Sequence, residues 1–90
     1  MHIRREHHFS PEEAREKVDI LAAELEKKFM LRSRWNGDRL EFNGGGASGE
    51  VTLGDDYVEL NVKLGFALKL MEPTLRAAIE ETLDEQINSA

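Results

Sequence analysis

The chain has 90 residues, of which 18 are acidic and 12 basic for a formal charge of −6, with 40% apolar residues and no cysteine. A chain this short buries roughly 60–65% of the surface its unfolded form exposes, so residues 1–90 are expected to form one domain with one core and no deep built-in cleft. The missing cysteine excludes disulfides, thiolate metal sites and cysteine nucleophiles, and the acidic balance disfavours nucleic acid and anionic membranes as broad partners.

The opening segment His2 to Phe9 places Ile3, Arg5, His7 and Phe9 on one side of an extended chain and reads as an edge strand. It lacks the apolar stretch of a signal peptide, and no later run approaches the roughly 18 apolar residues of a membrane span, which makes the cytoplasm the expected compartment. Ser10-Pro11-Glu12-Glu13 combines a capping serine, proline at the first helical position and glutamate three residues after the cap, so a helix starts there. Ala14, Val18, Leu21, Ala22, Leu25 and Phe29 recur at three- and four-residue spacing, which predicts about five turns lying on a sheet.

Four strands follow. Asn36-Gly37 predicts a tight turn in which Trp35 pairs with Asp38, Ser33 with Leu40 and Leu31 with Phe42. That register opposes Arg34 to Arg39, a like-charge pair that counts against it. Asn43 to Gly46 is expected to close the next hairpin, with Ala47 against Phe42 and Gly49 against Leu40; its three glycines are read as a turn only. Asp55-Asp56 closes a third, pairing Leu53 with Val58, Val51 with Leu60 and Gly49 with Val62. Val58, Leu60, Val62 and Leu64 alternate with Tyr57, Glu59, Asn61 and Lys63, so one side of the sheet is wet. After the connection Gly65 to Leu68, Pro73 fits a helix start, and Leu75, Ile79, Leu83 and Ile87 form its buried stripe. The fold class is α+β in the order β-α-β-β-β-β-α, an antiparallel sheet with two helices packed on one face. The strand starting at Leu31 has an edge that could pair with a second copy, giving a homodimer.

No reaction chemistry is readable, and no cofactor is expected. His2 and His8 lie about 20 Å apart at strand rise and His7 points the other way, so the three histidines do not make a metal site. Ser10 has a full explanation as a helix cap and no base beside it. The run Gly44 to Gly46 leads into a strand with no lysine after it, unlike a phosphate-binding loop. Arg5 and His7, alternating with Ile3 and Phe9, either snorkel to solvent or line a polar opening between sheet and helices. Trp35, the only tryptophan, reads as a packing residue at a hairpin end, and Gly49 as room for a large neighbour, Trp35 or a helix. Phe66, Leu68, Leu70 and Met71 form an apolar stretch whose exposed part would make an attachment patch. Charge is uneven: residues 27–39 carry five basic side chains and one acidic, residues 72–90 five acidic and one basic. The basic hairpin weakens the exclusion of anionic partners locally.

Nearly the whole chain resembles the small polyhydroxyalkanoic acid system proteins, also described as polyhydroxyalkanoate granule-region proteins. The likeness lies in Ile3, Arg5 and His7 in the first strand; Glu12-Glu13-Ala14-Arg15 opening the helix; Trp35, Gly37 and Asp38 at the hairpin; Ser48-Gly49 in mid-sheet; and Leu64-Gly65-Phe66 before the last helix. The resemblance implies a non-enzymatic accessory protein of the storage-polymer system, in contact with the granule or a granule-associated protein. The element order also resembles a shortened helix-grip arrangement, whose larger relatives hold apolar ligands between sheet and helix. On that analogy a second function is open, a small binding module for a hydroxyacyl or fatty-acyl chain. Residues expected to touch a ligand or partner are Arg5, His7, Trp35 and Phe66.

Overall fold

In the computed structural model, which describes residues 1–88, the chain runs through β1 (His2–Glu6), α1 (Pro11–Phe29), β2 (Arg32–Asn36), β3 (Arg39–Gly44), β4 (Ala47–Leu53), β5 (Tyr57–Leu64), α2 (Phe66–Lys69) and α3 (Glu72–Asn88). The strands make one antiparallel sheet in the order β1-β5-β4-β3-β2. The expected α+β class and element order hold, with one addition: the connection after Gly65 coils into the single turn of α2.

Ser10 caps α1 as its sequence requires, with its Oγ accepting from the Glu13 N–H at 3.2 Å and Pro11 in the first turn. Lys27 and Lys28 in the last turn suit the negative end of the helix dipole. The helix stops at Met30, which adopts a left-handed conformation (φ 59°, ψ 32°) and donates its N–H to the Glu26 carbonyl. Ala14, Val18, Leu21, Ala22 and Leu25 are buried beneath α1, and Leu75, Ile79 and Leu83 beneath α3. Both stripes meet the same side of the sheet in one cluster.

That side is organised in rows. Trp35, Leu40, Val51, Leu60 and Ile3 are aligned partner by partner across all five strands. Val51 and Leu60 at its centre are fully buried, each contributing about 1.5–3 kcal/mol by leaving water. The neighbouring row contains Phe42, Gly49 and Val62. A Cβ on Gly49 would press into the Asn61 carbonyl and stand 2.9 Å from Phe42 Cζ. The room left by Gly49 is therefore taken by the Phe42 ring, not by Trp35 or a helix.

Two hairpin registers differ from expectation, each by two residues. The first turn is Gly37-Asp38, so Trp35 pairs with Leu40, Ser33 with Phe42 and Arg34 with Glu41. This removes the like-charge pair Arg34–Arg39 and sets Glu41, expected opposite Arg32, opposite Arg34 instead. The second turn is Gly45-Gly46, pairing Gly44 with Ala47, Phe42 with Gly49 and Leu40 with Val51. The third register, Leu53 with Val58, Val51 with Leu60 and Gly49 with Val62, is as expected.

The triple glycine is more than a turn. Gly44, Gly45 and Gly46 all have positive φ (131°, 56° and 89°), and side chains at the first two would meet carbonyls of the α1 terminus, Met30 O at 2.8 Å and Phe29 O at 3.0 Å. The Gly65 N–H donates to the Gly46 carbonyl at 2.7 Å. Glycine lets this turn wedge between the end of α1 and the start of α2.

Candidate functional site

Antiparallel topology brings the α1 terminus, the triple-glycine turn, α2 and the start of α3 to one end of the sheet. There the apolar stretch foreseen between strand and helix is largely exposed: Phe66 is 91% exposed, Leu70 87% and Met71 48%. Only Leu68 turns inward, half-buried against the core and 3.6 Å from where a Gly46 Cβ would stand. Met30 joins these side chains from the other flank at 77% exposed. Between the flanks lies a groove of about 180 Å³ whose lining includes Phe29, Leu31, Ala47, Leu68, Met71 and Leu75. Four large apolar side chains thus stand in water at one end of so small a molecule, an unusual exposure for a chain of this size.

The expected contact residues do not converge. Phe66 belongs to this cap. Trp35 lies on β2, where its Nε1 donates to Asp19 Oδ1 at 2.8 Å and the Arg15 guanidinium stacks 3.9 Å above its ring. Arg15 also donates to the Gly37 carbonyl at 3.3 Å, so the tryptophan is tied to the turn and to α1. Arg5 lies on β1, the opposite edge strand, about 19 Å away at the usual strand spacing.

Arg5 follows neither of its two readings: it reaches the acidic side chains of α3. Its Nε donates to Asp84 Oδ1 at 2.9 Å, with Glu80 4.0 Å from its Nη2. The Asp84 hydrogen bond raises the Arg5 pKa, with burial opposing and the charges of Asp84 and Glu80 adding to the rise. A guanidinium pKa raised by folding stabilises below its unfolded value and loses that effect only as pH climbs through the folded value, in strong alkali. Arg5 therefore pins α3 to β1 at any ordinary pH. On the wet face, Arg39 is likewise held charged by its 2.9 Å bond to Glu50. His7 is 3% exposed. Its Nδ1 accepts from the Phe9 N–H at 3.1 Å, which leaves the proton on Nε2, an atom buried without a partner. His2 pairs with Glu59 at 3.0 Å, and His8 is exposed. Among the described residues no group of three histidine, aspartate or glutamate side chains is placed to hold a metal ion.

The wet face of the sheet carries a broader depression of about 1030 Å³, whose walls include Arg32, Arg34, Glu41, Ser48, Glu50 and Lys63. Its charges are mixed: Arg34 stands opposite Glu41 in register, and Glu50 is held by Arg39. Among the described residues no helix is long and apolar enough to cross a membrane.

The model of one protein family, described as "Putative polyhydroxyalkanoic acid system protein", matches residues 1–87. The chain belongs to this family. No curated protein and no solved structure matches it, and the likeness to a helix-grip arrangement rests on element order alone. The residues that carried the resemblance to the polyhydroxyalkanoic acid system family mostly have structural tasks. Arg5 anchors α3, Trp35 anchors α1, Gly49 admits Phe42, and Gly65 bonds the glycine turn. Phe66 is the exception, with almost no contact to explain it. Met30 escaped the sequence reading; the available signal was an apolar residue where a helix end most often has glycine or asparagine.

Proposed function

We propose that this protein is a non-enzymatic accessory of the polyhydroxyalkanoate storage-polymer system that attaches, in the cytoplasm, to the surface of the polymer granule. The observation that carries this reading is the exposed cap of Met30, Phe66, Leu70 and Met71 at one end of the molecule. A polyester surface offers apolar area and ester carbonyls, and covering four large side chains there releases their hydration water. Family membership supplies the system. The alternative, an acyl chain held between sheet and helices, is less well supported. That space is filled by Val18, Leu21, Leu40, Val51, Leu60 and Ile79, none more than 2% exposed. Arg5 and Trp35, which would share its mouth, sit on opposite edges of the sheet.

Co-sedimentation with granules tests the reading. The protein is expected in the pellet with native granules and with protein-free polymer particles, and the double variant Phe66→Ser/Leu70→Ser is expected in the supernatant. Binding to native granules alone transfers the contact to a granule-associated protein. A protein wholly soluble beside excess granules would overturn the proposal.

A further inference from the structure

The charge of the molecule is sorted along its length. At the cap end stand Lys27 in the last turn of α1, Arg32 at the start of β2, Lys63 near the end of β5 and Lys69 in α2. All four are exposed, and among the described residues none is engaged in an ion pair. Lys63 and Lys69 flank one shallow depression beside Gly46 and Gly65. The acids at this end are Glu24, paired with Lys28 at 3.3 Å, and Glu26 and Glu72. The opposite end carries the turn residues Asp38, Asp55 and Asp56, with Glu6, Glu12 and Glu13 where β1 ends and α1 begins; its cations are engaged locally, Arg39 with Glu50, Arg15 with Trp35 and the Gly37 carbonyl, and Arg4 over the Tyr57 ring. The 19 residues of α1 hold the two ends about 28 Å apart.

This separation cancels the objection that a chain of net charge −6 should avoid anionic surfaces. The Debye length at physiological salt is about 8 Å, so a surface touching the cap senses the lysines and Arg32, while the aspartate turns lie several screening lengths away. We infer that the cap docks onto a layer of anionic phospholipid headgroups, with Met30, Phe66, Leu70 and Met71 entering the acyl boundary and Lys27, Arg32, Lys63 and Lys69 meeting the phosphates. This rests on the attachment reading above and names the chemistry of the surface attached to. A bare polymer would call for the apolar side chains alone. The unpaired cations around them add the second signal that interfacial binding generally needs when the inserted apolar area is small. Because only one end is basic, the same charges also fix the orientation, cap first and acidic turns toward water.

Sedimentation with vesicles tests this. At 0.1 M salt the protein is expected to bind phosphatidylglycerol vesicles at least about tenfold more than phosphatidylcholine vesicles, as a few basic residues near an anionic leaflet provide. The double variant Lys27→Glu/Lys69→Glu, with its fold checked by circular dichroism, is expected to fall to the phosphatidylcholine level, as is the unaltered protein at 0.5 M salt. Equal binding to both lipids, or undiminished binding of the charge-reversed variant, would overturn the inference. If the protein coats lipid-free polymer particles without preferring phosphatidylglycerol, the lipid inference fails and attachment to polymer stands. If it binds phosphatidylglycerol but not granules, the attachment reading fails instead.

Discussion

Met30 holds a left-handed backbone (φ 59°) that costs a non-glycine residue roughly 1–2 kcal/mol. Glycine would end α1 more cheaply, and Met30 gains little from packing, since its side chain lies in water. An apolar side chain at this position fits the proposed attachment of the cap. Met30→Gly should therefore stabilise the fold by about 0.5–1 kcal/mol, the relief of strain less the entropy glycine adds to the unfolded chain. The same change should weaken granule binding. Urea denaturation beside co-sedimentation checks both halves, and the opposite signs are the point, because a residue kept for packing would lose stability and binding together. Phe66 was legible as part of an apolar run outside any periodic stripe, and its exposure follows from that. Trp35 was legible as a packing residue, and Arg5 and His7 as polar groups on an apolar side, but the partners of all three were not. Their explanation lies in Asp84, Phe9 and Asp19, and of these Asp84 is 79 residues from its partner, a distance no local pattern spans.

Among the elements, α2 is the least anchored. It has four residues, no side-chain cap hydrogen bond and no buried side chain. Leu68 and the Gly65–Gly46 bond are its ties to the rest. Hydrogen exchange should show the amides of Leu68 and Lys69 exchanging at least about a hundredfold faster than those of Val51 and Leu60, as expected where few apolar contacts resist local opening. The strands were readable in extent and facing because alternation of apolar and polar residues is strict in β5 and recognisable in β3. Register was not readable from that pattern. A slip of two residues leaves every side chain on its own face, so the rows of Leu40, Phe42 and Val51 look equally good either way. At the first hairpin charge distinguishes the true register, since Arg34 stands opposite Glu41 instead of Arg39. At the second it does not, because the true register opposes Glu41 to Glu50; there turn chemistry decides, with the positive φ of Gly45 and Gly46 fitting both central positions. The third hairpin was right because Leu53, Val51 and Gly49 all had to meet β5, and Gly54 flanks the two turn residues Asp55 and Asp56 without displacing them, its N–H donating to the Tyr57 carbonyl.

At the scale of the whole molecule, α1, α3 and the sheet share one cluster of buried side chains. Nothing in it would let a helix leave without exposing the centre of the sheet. Thermal unfolding followed by far-ultraviolet circular dichroism and by the fluorescence of Trp35 should therefore give coincident curves, the mark of a single cooperative unit. A Trp35 transition preceding the loss of helix signal would instead show β2 and its arginine-capped contact with α1 opening separately. The cap adds a chemical trait that neither stability nor charge describes. Two of the three methionines, Met30 and Met71, expose their thioethers there, within reach of peroxide, while the core contains none. Oxidation to the sulfoxide would turn a soft apolar side chain into a polar one without disturbing the packing beneath, and methionine sulfoxide reductases reverse it. The end proposed for attachment is thus also the oxidisable end, and oxidative stress would act first on that end and only later on the fold.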